Sequence, residues 1–233
     1  LQLGLRDATP NATIIILNGW RIMPNLVDAT TWTKLEYLDI SNTQLSRLPV
    51  LPTTLKYLNL GNNMLLHVGL HEETPTQLPL LETFNCESTS ISPDVLRILT
   101  MPSITKGNLK SLLIGDRLTE THLVPVANEY PASETLEELS LTKMQINDAR
   151  VLQIIELYPK LRKLDVSGTR VTGVAVRKFV ERGMTSLNLD ECVDVSSDAV
   201  DWARGKGAEV EYNFGRKDAQ NSFWFSSYAR SFV

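Results

Sequence analysis

This chain of 233 residues has little of what most chemistry needs: two cysteines and three histidines. Cys86 and Cys192 lie far apart with no paired spacing, which excludes a disulfide framework and favours a reducing, intracellular compartment, nuclear or cytoplasmic. His67 and His71 are four apart, as two metal ligands on a helix would be, but Gly69 between them discourages the helix. His122 stands alone, no third ligand accompanies the pair, and no metal site is expected. No histidine falls in register with either cysteine, so a nucleophilic thiol is not expected. Ala203-Arg-Gly-Lys-Gly-Ala lacks the spacing of a phosphate loop and reads as the end of a helix. Neither an enzyme nor a cofactor is expected. A basic excess is missing as well: 23 Lys and Arg face 27 Asp and Glu, a net charge of −4 that speaks against a nucleic-acid binder. The longest apolar run, Ile14–Leu17, is strand-sized and far below the roughly 18 residues a membrane span requires, so no membrane partner is expected.

What the chain does have is repetition. The pattern L-x-x-L-x-L occurs at Leu35/Leu38/Ile40, Leu55/Leu58/Leu60, Leu81/Phe84/Cys86 and Leu109/Leu112/Ile114. It recurs at Leu136/Leu139/Leu141, Leu161/Leu164/Val166 and Met184/Leu187/Leu189, with degenerate copies at Ala12/Ile15/Leu17 and Gly207/Val210/Tyr212. From Ile15 onward the central residues advance by 23, 20, 26, 28, 27, 25, 23 and 23 positions. Self-similarity at this period marks a repeat architecture. The last two apolar positions of each copy are two apart, so they share one face of a short strand. A single copy cannot bury that face; stacked copies can, with strands aligned in a parallel sheet and the intervening segments returning outside.

The return segments of the later copies read as helices. Ser92-Pro93, Thr119-Glu120, Asn147-Asp148, Thr172 and Ser196 each supply a capping residue before apolar positions at helical spacing. Pro93 suits a first helical position, whereas Pro131, Pro159, Gly183 and Gly205 suit helix ends. SNTQLSRLPVLPTT, between Ile40 and Leu55, carries prolines that discourage a helix, and an extended or 3₁₀ return is expected there.

The pattern resembles a leucine-rich repeat along nearly the whole chain. The resemblance implies an α/β solenoid, a curved arc with a parallel sheet on the concave face and helices or 3₁₀/extended segments on the convex face. One domain over 1–233 is expected, in about nine repeats: 1–34 degenerate, 35–206 regular, 207–233 the last strand and a tail. In many such proteins an asparagine follows each strand and bonds a neighbouring turn; here Asn63 holds that place, while Thr43, Thr89, Thr169 and Cys192 hold its equivalents. LNLDECVDVSSDAV in particular is similar to the cysteine-containing subclass found in F-box proteins. That likeness implies a protein-recognition domain, the substrate receptor of a cullin–RING ubiquitin ligase whose Skp adaptor and cullin would engage a region outside this chain. The alternative is a scaffold or regulatory protein with no ubiquitin role.

In a solenoid the residues alternating with the buried strand positions form the binding face. Tyr37, Asp39, Tyr57, Asn59, Asn85 and Glu87 line its first half, and Glu138, Ser140, Lys163, Asp165, Asn188, Asp190, Glu209 and Glu211 its second. Tyr37 and Tyr57 hold equivalent places and are candidate anchors. The second half sets five acids against Lys163 and suits a protein with a basic or mixed-charge surface. The tail turns basic at Arg216 and Lys217, then aromatic at Phe223, Trp224, Phe225 and Tyr228, a cap for the solenoid end or a docking segment.

Overall fold

The structure, a computed structural model, describes residues 9–20, 28–66, 77–116 and 129–213. Among the described residues nine three-residue strands form one parallel sheet in sequence order. They are β1 (Ile14–Ile16), β2 (Tyr37–Asp39), β3 (Tyr57–Asn59), β4 (Thr83–Asn85), β5 (Ser111–Leu113), β6 (Glu138–Ser140), β7 (Lys163–Asp165), β8 (Ser186–Asn188) and β9 (Glu209–Glu211). The register pairs Ile15 with Leu38, Leu38 with Leu58, and so on to Leu187 with Val210. These are the central residues of the nine sequence copies, so both degenerate end copies form strands in step with the rest. From Leu38 to Leu187 every central residue is fully buried. Each such side chain contributes roughly 1.5–3 kcal/mol by leaving water. Cys86 and Cys192 are buried inside the same core, and burial pushes the Cys192 thiol pKa up.

The outer layer follows its caps. α1 (Pro93–Thr105) starts at Ser92, whose side chain accepts from the Val95 N–H at 3.4 Å. α2 (Asp148–Ile155) is capped by Asn147 and α3 (Gly173–Glu181) by Thr172. α4 (Ser197–Gly205) follows Ser196, which makes no capping bond. Asp148 also ties adjacent coils together, accepting from the Thr172 N–H at 2.7 Å and its hydroxyl at 2.6 Å. Between β2 and β3 no helix forms, as the prolines there require. α1 continues through Pro102, with the Thr100 and Ser103 hydroxyls bonding the Leu96 and Thr100 carbonyls in its last turns. α4 ends at Gly205, as expected, and Gly207 beyond it takes the left-handed conformation at φ 91°. Thr119-Glu120 and the three histidines lie outside the described residues, as does the whole tail with Phe223, Trp224, Phe225 and Tyr228.

A turn repeats after each of the first eight strands. Three positions past the strand end, Gly19, Asn42, Asn62, Ser88, Asp116, Lys143, Gly168 and Glu191 all have φ between 50° and 74°. The N–H of each donates to a carbonyl of the next coil, for example Lys143 to Ser167 at 2.7 Å and Gly168 to Asp190 at 2.7 Å. That bond holds even Lys143 and Glu191 in a region L-residues avoid at a cost of about 1–2 kcal/mol.

Gly115 is required for a different reason. A Cβ there would lie 2.5 Å from the Thr142 nitrogen and 2.7 Å from its carbonyl oxygen. Both contacts are backbone, so the strands themselves would have to part. Gly115→Ala is therefore expected to lose about 1–3 kcal/mol in a urea melt. An unchanged midpoint would contradict this packing.

Candidate partner-binding groove

The sheet face opposite the helices forms a groove of about 800 Å³ lined from β2 through β9. Alternation about the buried central residue sends two rows of side chains into it. The first row runs Ile14, Tyr37, Tyr57, Thr83, Ser111, Glu138, Lys163, Ser186 and Glu209, by strand register. The second runs Ile16, Asp39, Asn59, Asn85, Leu113, Ser140, Asp165, Asn188 and Glu211 by the same register.

Tyr37 and Tyr57 stack with ring centroids 4.0 Å apart and planes 4° from parallel. Burial raises the hydroxyl pKa of both, so they stay neutral. Ile14, register partner of Tyr37, is 46% exposed and Ile16 is 59% exposed, although both are large and apolar. The early end of the groove is thus an aromatic and aliphatic platform.

The second row corrects the expectation of a freely exposed contact surface. Asp39, Asn59, Asn85, Ser140 and Asn188 are buried. The reason is local bonding: the side-chain oxygens of Asp39, Asn59, Asn85, Asp165 and Asn188 each accept the N–H two residues on, at 2.8–3.0 Å. Asn59 donates to Asp39 at 3.2 Å and Asn188 to Asp165 at 3.0 Å, joining neighbouring strands. Asx turns of this kind compete for side chains that strand alternation alone assigns to solvent. Asp190 has a related duty, accepting the Asn213 N–H at 2.7 Å.

The ladder breaks at β5 and β6, where the row carries Leu113 and Ser140. There Glu87 spans the gap. Its carboxylate accepts the Ser140 hydroxyl, from a residue two strands away. Gly115 lies in the coil between them. Burial raises the Glu87 pKa to about 7, and the charges of Asp165 and Asp116 push the same way against hydrogen bonds from Ser140 and Thr142. Burial likewise raises the Asp165 pKa.

The later end of the groove is acidic. Around the groove Glu87, Glu138, Asp165, Asp190, Glu191 and Glu211 face Lys143, Lys163 and Arg204. Lys143, Glu191 and Arg204 escaped the sequence reading; the first two sit at the left-handed turn position, whose fixed offset from each strand was the available signal. Glu209 is exposed at the outer strand. Between the two ends Ser111 is 2% exposed, and among the described residues its hydroxyl has no hydrogen-bond partner. Among the described residues no group of three His, Cys, Asp or Glu is placed to hold a metal ion. Among them also, no helix is long and apolar enough to cross a membrane.

The turns identify the repeat. Asn63 is fully buried; it accepts the N–H of Thr43 and Leu45 and donates to the carbonyls of Ile40 and Leu60. Cys192 donates to the Val166 carbonyl of the preceding coil at 3.1 Å. One parallel strand per 20–28 residues, a buried central apolar residue and a side chain binding successive turns define a leucine-rich-repeat solenoid, and that is the fold of this chain. No family model matches it. It is similar to Podocan-like protein 1 of Homo sapiens, 30% identical over 186 residues that cover 70% of this chain and 35% of that protein. Podocan-like protein 1 of Mus musculus is 28% identical over 169 residues, covering 63% of this chain and 30% of that protein. The chain spans about a third of the length of these relatives.

Proposed function

We propose that this solenoid is a non-catalytic protein-recognition module whose groove receives a partner with a basic or mixed-charge surface. The observation that carries the reading is the groove itself: one continuous open sheet face, apolar and aromatic at one end and acidic at the other. Its negative sign gives no support to a nucleic-acid role. Charge reversal tests it. Glu138→Lys, Glu209→Lys and Glu211→Lys together are expected to weaken partner binding at least tenfold in a variant that still unfolds cooperatively. Asp165 and Asp190 are left alone because both hold turn N–H groups. Full binding by the folded triple variant would move the site off the groove.

The finer reading is an intracellular, nuclear or cytoplasmic, substrate receptor of an F-box-type ubiquitin ligase, with the Skp adaptor and cullin bound outside this chain. Its support is the Cys192 turn. The second reading is a scaffold without ubiquitin chemistry, favoured by Asn63, whose amide makes the fuller turn bond. Purification of the full-length gene product separates them. Stoichiometric Skp adaptor supports the receptor; its absence leaves the scaffold.

A further inference from the structure

Resting on the reading of the groove as the partner site, we infer that its occupant is a single extended peptide segment with two anchors at a fixed spacing. One anchor is an aromatic side chain seated on the Ile14–Tyr37–Tyr57 row. The other is a pair of Lys or Arg residues over the acids of β6–β9.

Three observations converge on this occupant. The exposed isoleucines beside a parallel tyrosine stack form an apolar platform at the β1–β3 end. Aromatic anchors suit such platforms because a rigid ring brings much contact area at little entropic cost. The acids Glu138, Asp190, Glu209 and Glu211 cluster at the β6–β9 end, so charge complementarity sets the direction in which a segment lies. Midway, the Ser111 hydroxyl is buried without a partner while lining the groove. Buried hydroxyls are normally bonded, and a peptide backbone crossing β5 supplies the missing group.

Sheet geometry fixes the spacing. Neighbouring strands are about 4.8 Å apart and an extended peptide advances about 3.3 Å per residue. From Tyr57 on β3 to Glu138 on β6 is three strand spacings, about 14 Å or roughly four residues. From Tyr57 to Glu209 on β9 is six, about 29 Å or roughly nine residues. The basic pair therefore falls roughly four to nine residues from the aromatic one. A globular basic surface would show no such dependence.

The test uses the full chain and fluorescent Gly/Ser-based peptides read by anisotropy. One carries Trp and Lys-Arg about seven residues apart; a second has the same composition with the two anchors adjacent; a third has Ala for Trp; a fourth has Gln-Gln for Lys-Arg. The seven-residue peptide is expected to bind at least tenfold more tightly than each of the others, and to weaken with salt. Ile14→Ser with Ile16→Ser, both at exposed positions, should abolish the preference for Trp and leave that for Lys-Arg. The Glu138/Glu209/Glu211 reversal should do the converse. Equal binding of the first two peptides, or binding of none, overturns the inference. If the natural partner is still lost from the charge-reversed protein in that case, the groove reading stands and only the extended occupant falls; if it is retained, the groove reading falls too.

Discussion

Asn63→Ala is expected to remove about 3–5 kcal/mol of stability, a large share of the 5–15 kcal/mol typical of a folded protein. The side chain has no access to water, and it serves two coils at once. Its oxygen accepts from Thr43 N at 3.1 Å and Leu45 N at 2.9 Å; its nitrogen donates to Ile40 O at 2.9 Å and Leu60 O at 2.8 Å. Alanine leaves the Thr43 and Leu45 N–H groups and the Leu60 carbonyl unpaired in a dry turn, each at about 1–3 kcal/mol before relaxation, while the Ile40 carbonyl keeps the Thr43 hydroxyl at 2.8 Å; a water entering the vacated space recovers part of the loss. Asn63→Asp should be no better, since it sets an acceptor, and a charge, against two carbonyls. Cys192→Ala is the control. Its thiol donates one weak bond, to Val166 O, so a loss of about 1 kcal/mol is expected from packing and that bond together. Urea midpoints on the three variants decide it. Losses for Asn63→Ala and Cys192→Ala that agree within error would mean the amide is no more than a space-filler.

That contrast shows what could be read in advance. The strand centres were legible because burial demands the same apolar pair in every coil, and even Ile15 and Val210 kept the offset. Helix starts at Ser92, Asn147 and Thr172 were legible because a cap is a local event. The second groove row was not. Asp39, Asn59 and Asn188 lie on the open face by alternation, yet their side-chain oxygens accept turn N–H groups two residues on, and that bonding folds them onto the sheet. The left-handed turn was also missed, because the next coil's carbonyl selects it and residues as different as Ser88, Lys143 and Glu191 comply. Glu87 was placed on the correct face, but its reach to Ser140 joins coils two strands apart, which strand alternation does not encode. The F-box affiliation rests on one turn, and comparison with known proteins adds nothing to it.

Glu87→Gln is expected to make the protein more stable at pH 8 and to change it little near pH 4. The folded chain holds the Glu87 carboxyl at about 7, against an ordinary value of 4.5, chiefly because burial disfavours the charge. Between those values the folded state carries a proton that the unfolded state has released. Stability from this group therefore falls as pH rises from about 4.5 to about 7 and is level above. At about 1.4 kcal/mol per pH unit the full loss is about 3 kcal/mol, present in the native protein at pH 8 and absent at pH 4. Glutamine keeps an acceptor for the Ser140 hydroxyl and never ionises, so it escapes the loss. Asp165, also raised by burial, adds a slope of the same sign to both proteins, reduced in the variant because its charge no longer meets that of Glu87. The measurement is the difference in unfolding free energy between variant and parent at pH 4, 6 and 8. It should open with pH, steepest between 5 and 7. Parallel profiles would mean that Glu87 titrates alike folded and unfolded, and that the break in the ladder at β5 and β6 is open to water.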